Sequence, residues 1–521
     1  MMKIKSLWIS EYKNVQNLQL EFKTDLTTLL VGKNGLGKSN LIEALAIIFG
    51  ELDLFESLKD VEIFSSKYFD FKLQYTCSGN TVDISLINNV FSLKCGDFNS
   101  GDFKELTFAE FKKRKSVGLL PKYIIGYYSG ENKRLKAIIN KHEAFEFETL
   151  KRWHRNSKTV KSDSFRRLFF TENYHGQILL LTLALYQSHE YFGTHITNFY
   201  SQYLGIEELK DFSIKFKSPD WKYSEIGGIN KSAEYLIANI NDGVKSPFWN
   251  LQGKVDLLLT RLYNYQVEHG SEPIIYTDNN REFIEFPKIN VNEFSNELHN
   301  YFPHPMDFFN ALESTFVVEI FDEIRIQLKK TDIEFPIIYS ELSEGEQQLI
   351  SVLGLILVVS TDDVLFLLDE PDTHLNPNWQ RDYIRLLTEF SMNNSKSHIF
   401  VATHSPLIVQ AVEGKFDILL YHLNEGNIIE IDNDPQIISN WRIDQVLTSK
   451  YFGIENTRPV NTDNFLKLKQ EIIRRGHLTD KDKEDLKALE DELGYLPFGE
   501  TETEIESLAF LNKLANKHDI H

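Results

Sequence analysis

Apolar residues gather along this chain in short unbroken runs, and several of those runs stop at polar turns. Leu26–Val31, Val364–Leu368 and His398–Ala402 are too short for a helix and too continuous for a strand with one wet face. They predict strands buried on both faces of a parallel sheet. Asn40–Phe49 and Leu349–Val359 read as apolar helices, Ile324–Leu328 and Ile333–Ile338 as strands before the second of these, and Ile418–Leu423 and Asn427–Ile431 as closing strands. Strands alternating with helices in this way predict an α/β fold.

Between the two halves of that pattern, Asp163–Gln187 and Phe248–Val267 predict helices. Pro273–Tyr276 and Glu282–Phe286 predict a hairpin across Thr277–Arg281. Sustained heptads are absent and aromatic pairs recur, as in Phe169-Phe170, Phe199-Tyr200 and Tyr301-Phe302. A packed, mostly helical insertion is therefore expected in place of a coiled-coil rod. The expected division is 1–110 and 323–460 for the two parts of one α/β head, 111–322 for the insertion and 461–521 for a helical arm. In the arm Thr479 opens a helix, and Thr501-x-x-Glu504 forms a capping box for the last one. There Leu508, Leu511 and Leu514 fall near one face, which suits either plain packing or docking of a partner protein.

Composition narrows the picture. A chain of 521 residues exceeds what one core usually serves, so two or three units are expected. Cys77 and Cys95 are too few for a disulfide framework or a four-cysteine zinc site. No apolar run is long enough to span a bilayer and the amino terminus lacks a leader pattern, so a soluble cytoplasmic protein with no membrane partner is expected. The formal charge of −20 opposes general coating of nucleic acid. Contact with DNA or RNA would need a local basic patch. Lys112 to Lys115, Lys133, Arg134, Lys136, Lys141, Lys151, Arg152, Arg155, Lys158, Lys161, Arg166 and Arg167 offer one, or else form a solvated face balanced by Glu143, Glu146 and Glu148.

Candidate chemistry sits at the ends of the buried strands. Gly32-Lys33-Asn34-Gly35-Leu36-Gly37-Lys38-Ser39 fits the phosphate-cradling spacing between a strand and a helix. Asn34, Gly35 and Gly37 would let backbone N–H groups face the phosphates of ATP. Lys38 would reach the β and γ oxygens, and Ser39 would ligate Mg²⁺. Asp369 and Glu370 close the strand Val364–Leu368, one placed to hold Mg²⁺ through water and the other to activate the attacking water. Ser343 N-caps the helix that follows it, with Glu346 completing the box; His404 ends the last buried strand, either as a loop histidine or as a γ-phosphate sensor.

Taken together, GKNGLGKSN, LSEGEQQ, LLDEPDTHLNP and ATHSP resemble the Walker A, signature, Walker B with D-loop, and switch-histidine motifs of ATP-binding-cassette ATPases. IKSLWISEYKNVQNLQLEF, YIIGYYSGEN and EGEQQ are similar to the RecF/SMC-like branch, including ATPases of bacterial anti-phage systems such as the PtuA family of Septu and retron defence. The resemblance is firm over about residues 1–50 and 335–425. It implies an ABC/SMC-type P-loop head working as a homodimer at least. Ser343, Gly345 and Glu346 of one subunit would close over ATP held by Lys38 of the other, and an HNH-type nuclease would be a separate partner. Two positions depart from the family pattern: Asn376 stands where Asp or His is usual in the D-loop, and Gln74 is the candidate for the Q-loop glutamine.

Glu413-Gly414 with Asp432-x-Asp434 superficially suggests a TOPRIM nuclease, but the intervening chain is too short for that fold. Three functions compete. One is an ATP-hydrolysing regulator or sensor of an anti-phage complex that controls a separate effector nuclease. The others are a RecF-like repair ATPase that clamps DNA and a nucleotide-gated scaffold with little turnover.

Overall fold

The computed structural model describes residues 1–23, 27–97, 103–129, 133–155, 166–220, 248–249, 251, 253–279, 281–359, 363–392, 396–412, 417–423, 429–433, 438, 441–458, 462–494 and 501–517. Its strands are β1 (Lys3–Tyr12), β2 (Val15–Glu21), β3 (Thr27–Gly32), β4 (Phe71–Cys77), β5 (Asn80–Ile87), β6 (Val90–Asp97), β7 (Phe103–Glu105), β8 (Tyr123–Tyr128) and β9 (Leu168–Phe170), followed by β10 (Ile206–Lys217), β11 (Ile274–Asp278), β12 (Arg281–Asn290), β13 (Phe321–Lys330), β14 (Ile337–Ile338), β15 (Val364–Asp369), β16 (His398–Thr403), β17 (Asp417–Leu423) and β18 (Ile429–Asn433). They form three sheets within a compact unit spanning Met1–Ile443.

The central sheet has the order β18-β17-β3-β16-β15-β8-β9 and is parallel except for the β17–β18 pair. Every residue of β3, β15 and β16 is buried, the outcome their unbroken apolar runs predict. The register pairs Thr403 with Val31, Asp369 with Ala402, and Asp369 with Tyr128. The polar turns after β3, β15 and β16 therefore gather along one carboxyl edge, where ligands of open α/β sheets bind.

A six-stranded antiparallel sheet, β2-β1-β4-β5-β6-β7, covers the other side of the helix Lys38–Leu54. One apolar cluster runs from Ile4, Leu7 and Ile9 through Leu41, Leu45 and Phe49 to Leu30, Leu365 and Phe400. That helix is apolar all round because it has a sheet on either side.

The segment expected as a mostly helical insertion differs in two respects. Its β8 and β9 belong to the central sheet, and β10 to β14 build a five-stranded antiparallel sheet in the order β11-β12-β10-β13-β14. The expected hairpin is present, with Asp278 opposite Arg281 and Asn280 outside the described residues. The helix expected over 163–187 divides into β9 and the helix Asn173–Leu185. The helix expected from Phe248 begins at Gly253. Only Ile337–Ile338 of the strand expected over 333–338 pairs, since Pro336 has no N–H to give a ladder.

A second compact unit, Asp444–His521, holds the helices Asp463–Arg475, Asp480–Leu493 and Glu502–Lys517. The expected caps are present: Thr479 exchanges bonds with Asp482, and Thr501 N–H donates to Glu504 at 3.2 Å. No helix among the described residues is long and apolar enough to cross a membrane.

Candidate nucleotide site

The chain leaves β3 at Gly32, where any Cβ would lie 2.5 Å from the carbonyl oxygen of Tyr421 on β17. Gly35 and Gly37 hold φ of 83° and 99°, the left-handed region that side chains disfavour. No atom outside the loop comes within 4 Å of a Cβ built at Gly35, so the loop opens outward there. Asn34 is exposed beside it. From the β1–β2 turn the Asn14 amide donates to Gly35 O at 2.8 Å, while its oxygen accepts from Asn40. Asn14 thus braces the loop from 21 residues upstream.

Lys38 is buried, with Nζ donating to Gly32 O at 2.6 Å and Lys33 O at 3.0 Å and lying 3.4 Å from His404 Nδ1. Burial lowers its ammonium to about 8, against the pull of Glu370 and Asp369. Asp369 is 3% exposed and accepts a bond from the Ser39 hydroxyl; burial raises its carboxyl to about 6. Two adjacent oxygen donors of this kind, in a cradle that exposes backbone N–H groups, suit a hard divalent cation beside a triphosphate.

Glu370 adopts φ 51°, a left-handed conformation uncommon for a side-chain-bearing residue. Its N–H donates to Ala402 O at 2.8 Å, fixing the turn. The carboxylate lies 3.2 Å from His404 Nε2, and that contact holds it below its ordinary range. His404 therefore stands between Lys38 and Glu370. Local sequence signals miss Asp372, which is buried, accepts from Thr403 Oγ1 at 3.0 Å and is raised by burial to about 6. Its position in the Asp-Glu-Pro-Asp turn is the one sign of it.

The raised carboxyl of Asp369 has a thermodynamic sign. The folded chain binds that proton more tightly than the unfolded chain, so this group's contribution to stability is lost as pH rises from about 4 through about 6. Asp369→Asn is expected to raise the melting temperature of the nucleotide-free protein at pH 8, by an amount on the order of 1–3 kcal/mol. Thermal melts check this: the gain should shrink below pH 4, and a loss of stability at pH 8 would contradict it.

The signature residues form a separate network. Ser343 caps its helix by accepting from Glu346 N–H at 3.3 Å, and Glu346 Oε2 accepts from Ser343 N–H and hydroxyl at 2.8 Å each. Burial pushes the Glu346 carboxyl up, but Lys330 and Ser343 more than offset it and leave it below its ordinary value. Gly345 lies under the D-loop, where a Cβ would sit 2.9 Å from His374 O and 3.1 Å from the Trp379 ring. Among the described residues, no hydrogen bond or ion pair of Ser343, Gly345 or Glu346 reaches Lys38, Ser39, Asp369 or His404.

Two expectations need correcting. Gln74 lies in mid-strand on β4, paired with Ser6 and Asp83 in the antiparallel sheet, so it is not at the carboxyl edge where a Q-loop would be. The basic run is not a free patch. Lys112 and Lys115 pair with Glu56, Lys141 with Glu51, Arg166 with Glu143 and Glu313, and Arg167 with Asp53. The side chains of Lys133, Arg134, Lys151, Arg152 and Arg155, together with Lys158, Lys161, Glu413, Gly414 and Asp434, fall outside the described residues.

Comparison with known proteins agrees with this geometry. A family model described as an AAA ATPase domain matches residues 2–409. The chain is 27% identical over 221 residues to the Septu protein PtuA of Bacillus mycoides, a match spanning 40% of this chain and 30% of that protein. It is 22% identical over 433 residues to a retron Vc95 probable ATPase of Vibrio cholerae, spanning 79% of this chain and 72% of that one. An Smc head domain from Pyrococcus furiosus is similar at 14% identity over 83% of this chain and 96% of that one, with a TM-score of 0.33. With its phosphate loop, its paired carboxylates and a family match across most of its length, this chain belongs to the AAA ATPase domain family.

Proposed function

We propose that this ATPase is the nucleotide-driven regulatory subunit of an anti-phage defence complex and controls a separate effector nuclease. The observation that carries the chemistry is the convergence of Lys38, Ser39, Asp369, Glu370 and His404 on one sheet edge, with Glu370 held ionised by His404. In this reading the backbone at Asn34, Gly35 and Gly37 cradles the phosphates of ATP and Lys38 neutralises their charge. Ser39 and Asp369 hold Mg²⁺, which when bound screens the β and γ oxygens. Glu370 takes the proton of the attacking water, and His404 orients Glu370 and senses the γ-phosphate. Ser343 and Gly345 of a second subunit offer N–H donors at a positive helix end, with Glu346 fixing that helix start. The likeness to PtuA and to a retron ATPase supports the defence setting and a nuclease partner, for which the HNH class is the candidate by resemblance.

The DNA-clamp alternative loses its footing in the basic run, since five of those side chains are engaged in ion pairs. The test is phage plating on cells carrying this gene with its natural neighbours. Protection should vanish with Lys38→Ala. Equal plating efficiency with and without the intact genes, against a broad phage panel, would overturn the defence role.

A further inference from the structure

The helix Glu502–Lys517 buries Ile505 and Ala509 against Phe465, Ile472 and Leu486 of its own unit. Asn512 fixes it there by donating to Ile473 O at 2.9 Å. Its opposite arc carries Leu508, Phe510, Leu511 and Leu514, exposed by 41%, 58%, 59% and 38%. Four large apolar side chains on one outward arc of a single helix mark an interaction surface.

The charges beside that arc say what covers it. Glu506 and Lys513 are both exposed, and neither has an ion-pair partner among the described residues. They lie equally far on either side of the midpoint between Ala509 and Phe510, as do Leu508 and Leu511. An antiparallel copy of the same helix, related by a two-fold axis at that midpoint, sets Leu508 against Leu511 and Glu506 against Lys513, twice over. In antiparallel helix pairs the same flank meets the same flank, so both charge pairs form together.

We infer that the helix Glu502–Lys517 pairs with the same helix of a second copy of this chain, in an antiparallel, self-complementary contact that does not require nucleotide. The apolar patch amounts to a few hundred Å² per copy, below the roughly 800 Å² that each partner of a stable interface buries. The pairing is therefore weak alone and depends on concentration, and it gains strength wherever two chains are already tethered.

The test uses the full chain without nucleotide, followed by sedimentation velocity over a wide concentration range. The parent should associate as concentration rises. Leu508→Glu with Leu511→Glu should move the midpoint at least tenfold higher. Glu506→Lys alone should weaken association several-fold, and adding Lys513→Glu should restore it. Phe510→Cys, beside the two-fold, should give a disulfide-linked dimer on mild oxidation. Association indifferent to the two leucine changes would overturn the inference. So would a charge swap that fails to restore association together with a Phe510→Cys chain that stays monomeric on oxidation; that pattern would assign the surface to a different protein.

Discussion

Glu370→Gln is expected to slow ATP hydrolysis by about a hundred- to ten-thousand-fold while ATP binding persists. The carboxylate is the one group at the sheet edge that is both ionised and partly open to solvent. His404 holds its proton affinity down, and the left-handed backbone at Glu370 aims it out of the strand. An amide of the same shape keeps the turn, including the N–H bond to Ala402 O, but cannot accept a proton. Binding should survive because Lys38, Ser39 and the loop N–H groups are untouched. Single-turnover hydrolysis and nucleotide-binding titrations separate the two effects, and unchanged turnover would remove Glu370 from the chemistry.

The second large effect concerns mixtures. Lys38→Ala and Ser343→Arg should each abolish hydrolysis, one by removing the phosphate lysine and the other by blocking the signature helix end. Mixed in equal amounts they should recover about a quarter of the parent's activity, because half of the dimers are mixed and each of those carries one site with both intact contributions. The motivation is the separateness of the two networks: Ser343, Gly345 and Glu346 are bonded to each other, to Lys330 and to the D-loop, away from Lys38. A mixture as inactive as its components would mean that each chain completes its own site.

Much of this site is legible without coordinates. β3, β15 and β16 are readable because both faces are buried, which leaves no polar position in the run. Their terminal turns carry residues whose chemistry has few other uses. The capping box at Ser343 is equally local, as are those at Thr479 and Thr501. Non-local pairing is what hides the rest. Nothing near Tyr123–Tyr128 announces that it lies beside β15, and nothing near Asn14 announces that its amide pins Gly35. The basic run misleads because composition counts charges without their partners. The alternation along β10, with Leu209, Phe212, Ile214 and Phe216 buried, was a visible strand signal within a segment otherwise taken for helices.

The placement of β3 also bears on how the protein is made. Its two neighbours are β16 and β17, and Thr28 bonds His398 across 370 positions of chain. During synthesis the phosphate-loop strand emerges early, with both edges bare until nearly four hundred further residues have left the ribosome. Closing so long a loop is slow, and unpaired strand edges attract other chains meanwhile. The nascent polypeptide is therefore a natural client for chaperones, and the catalytic edge is among the last parts of the molecule to come into existence.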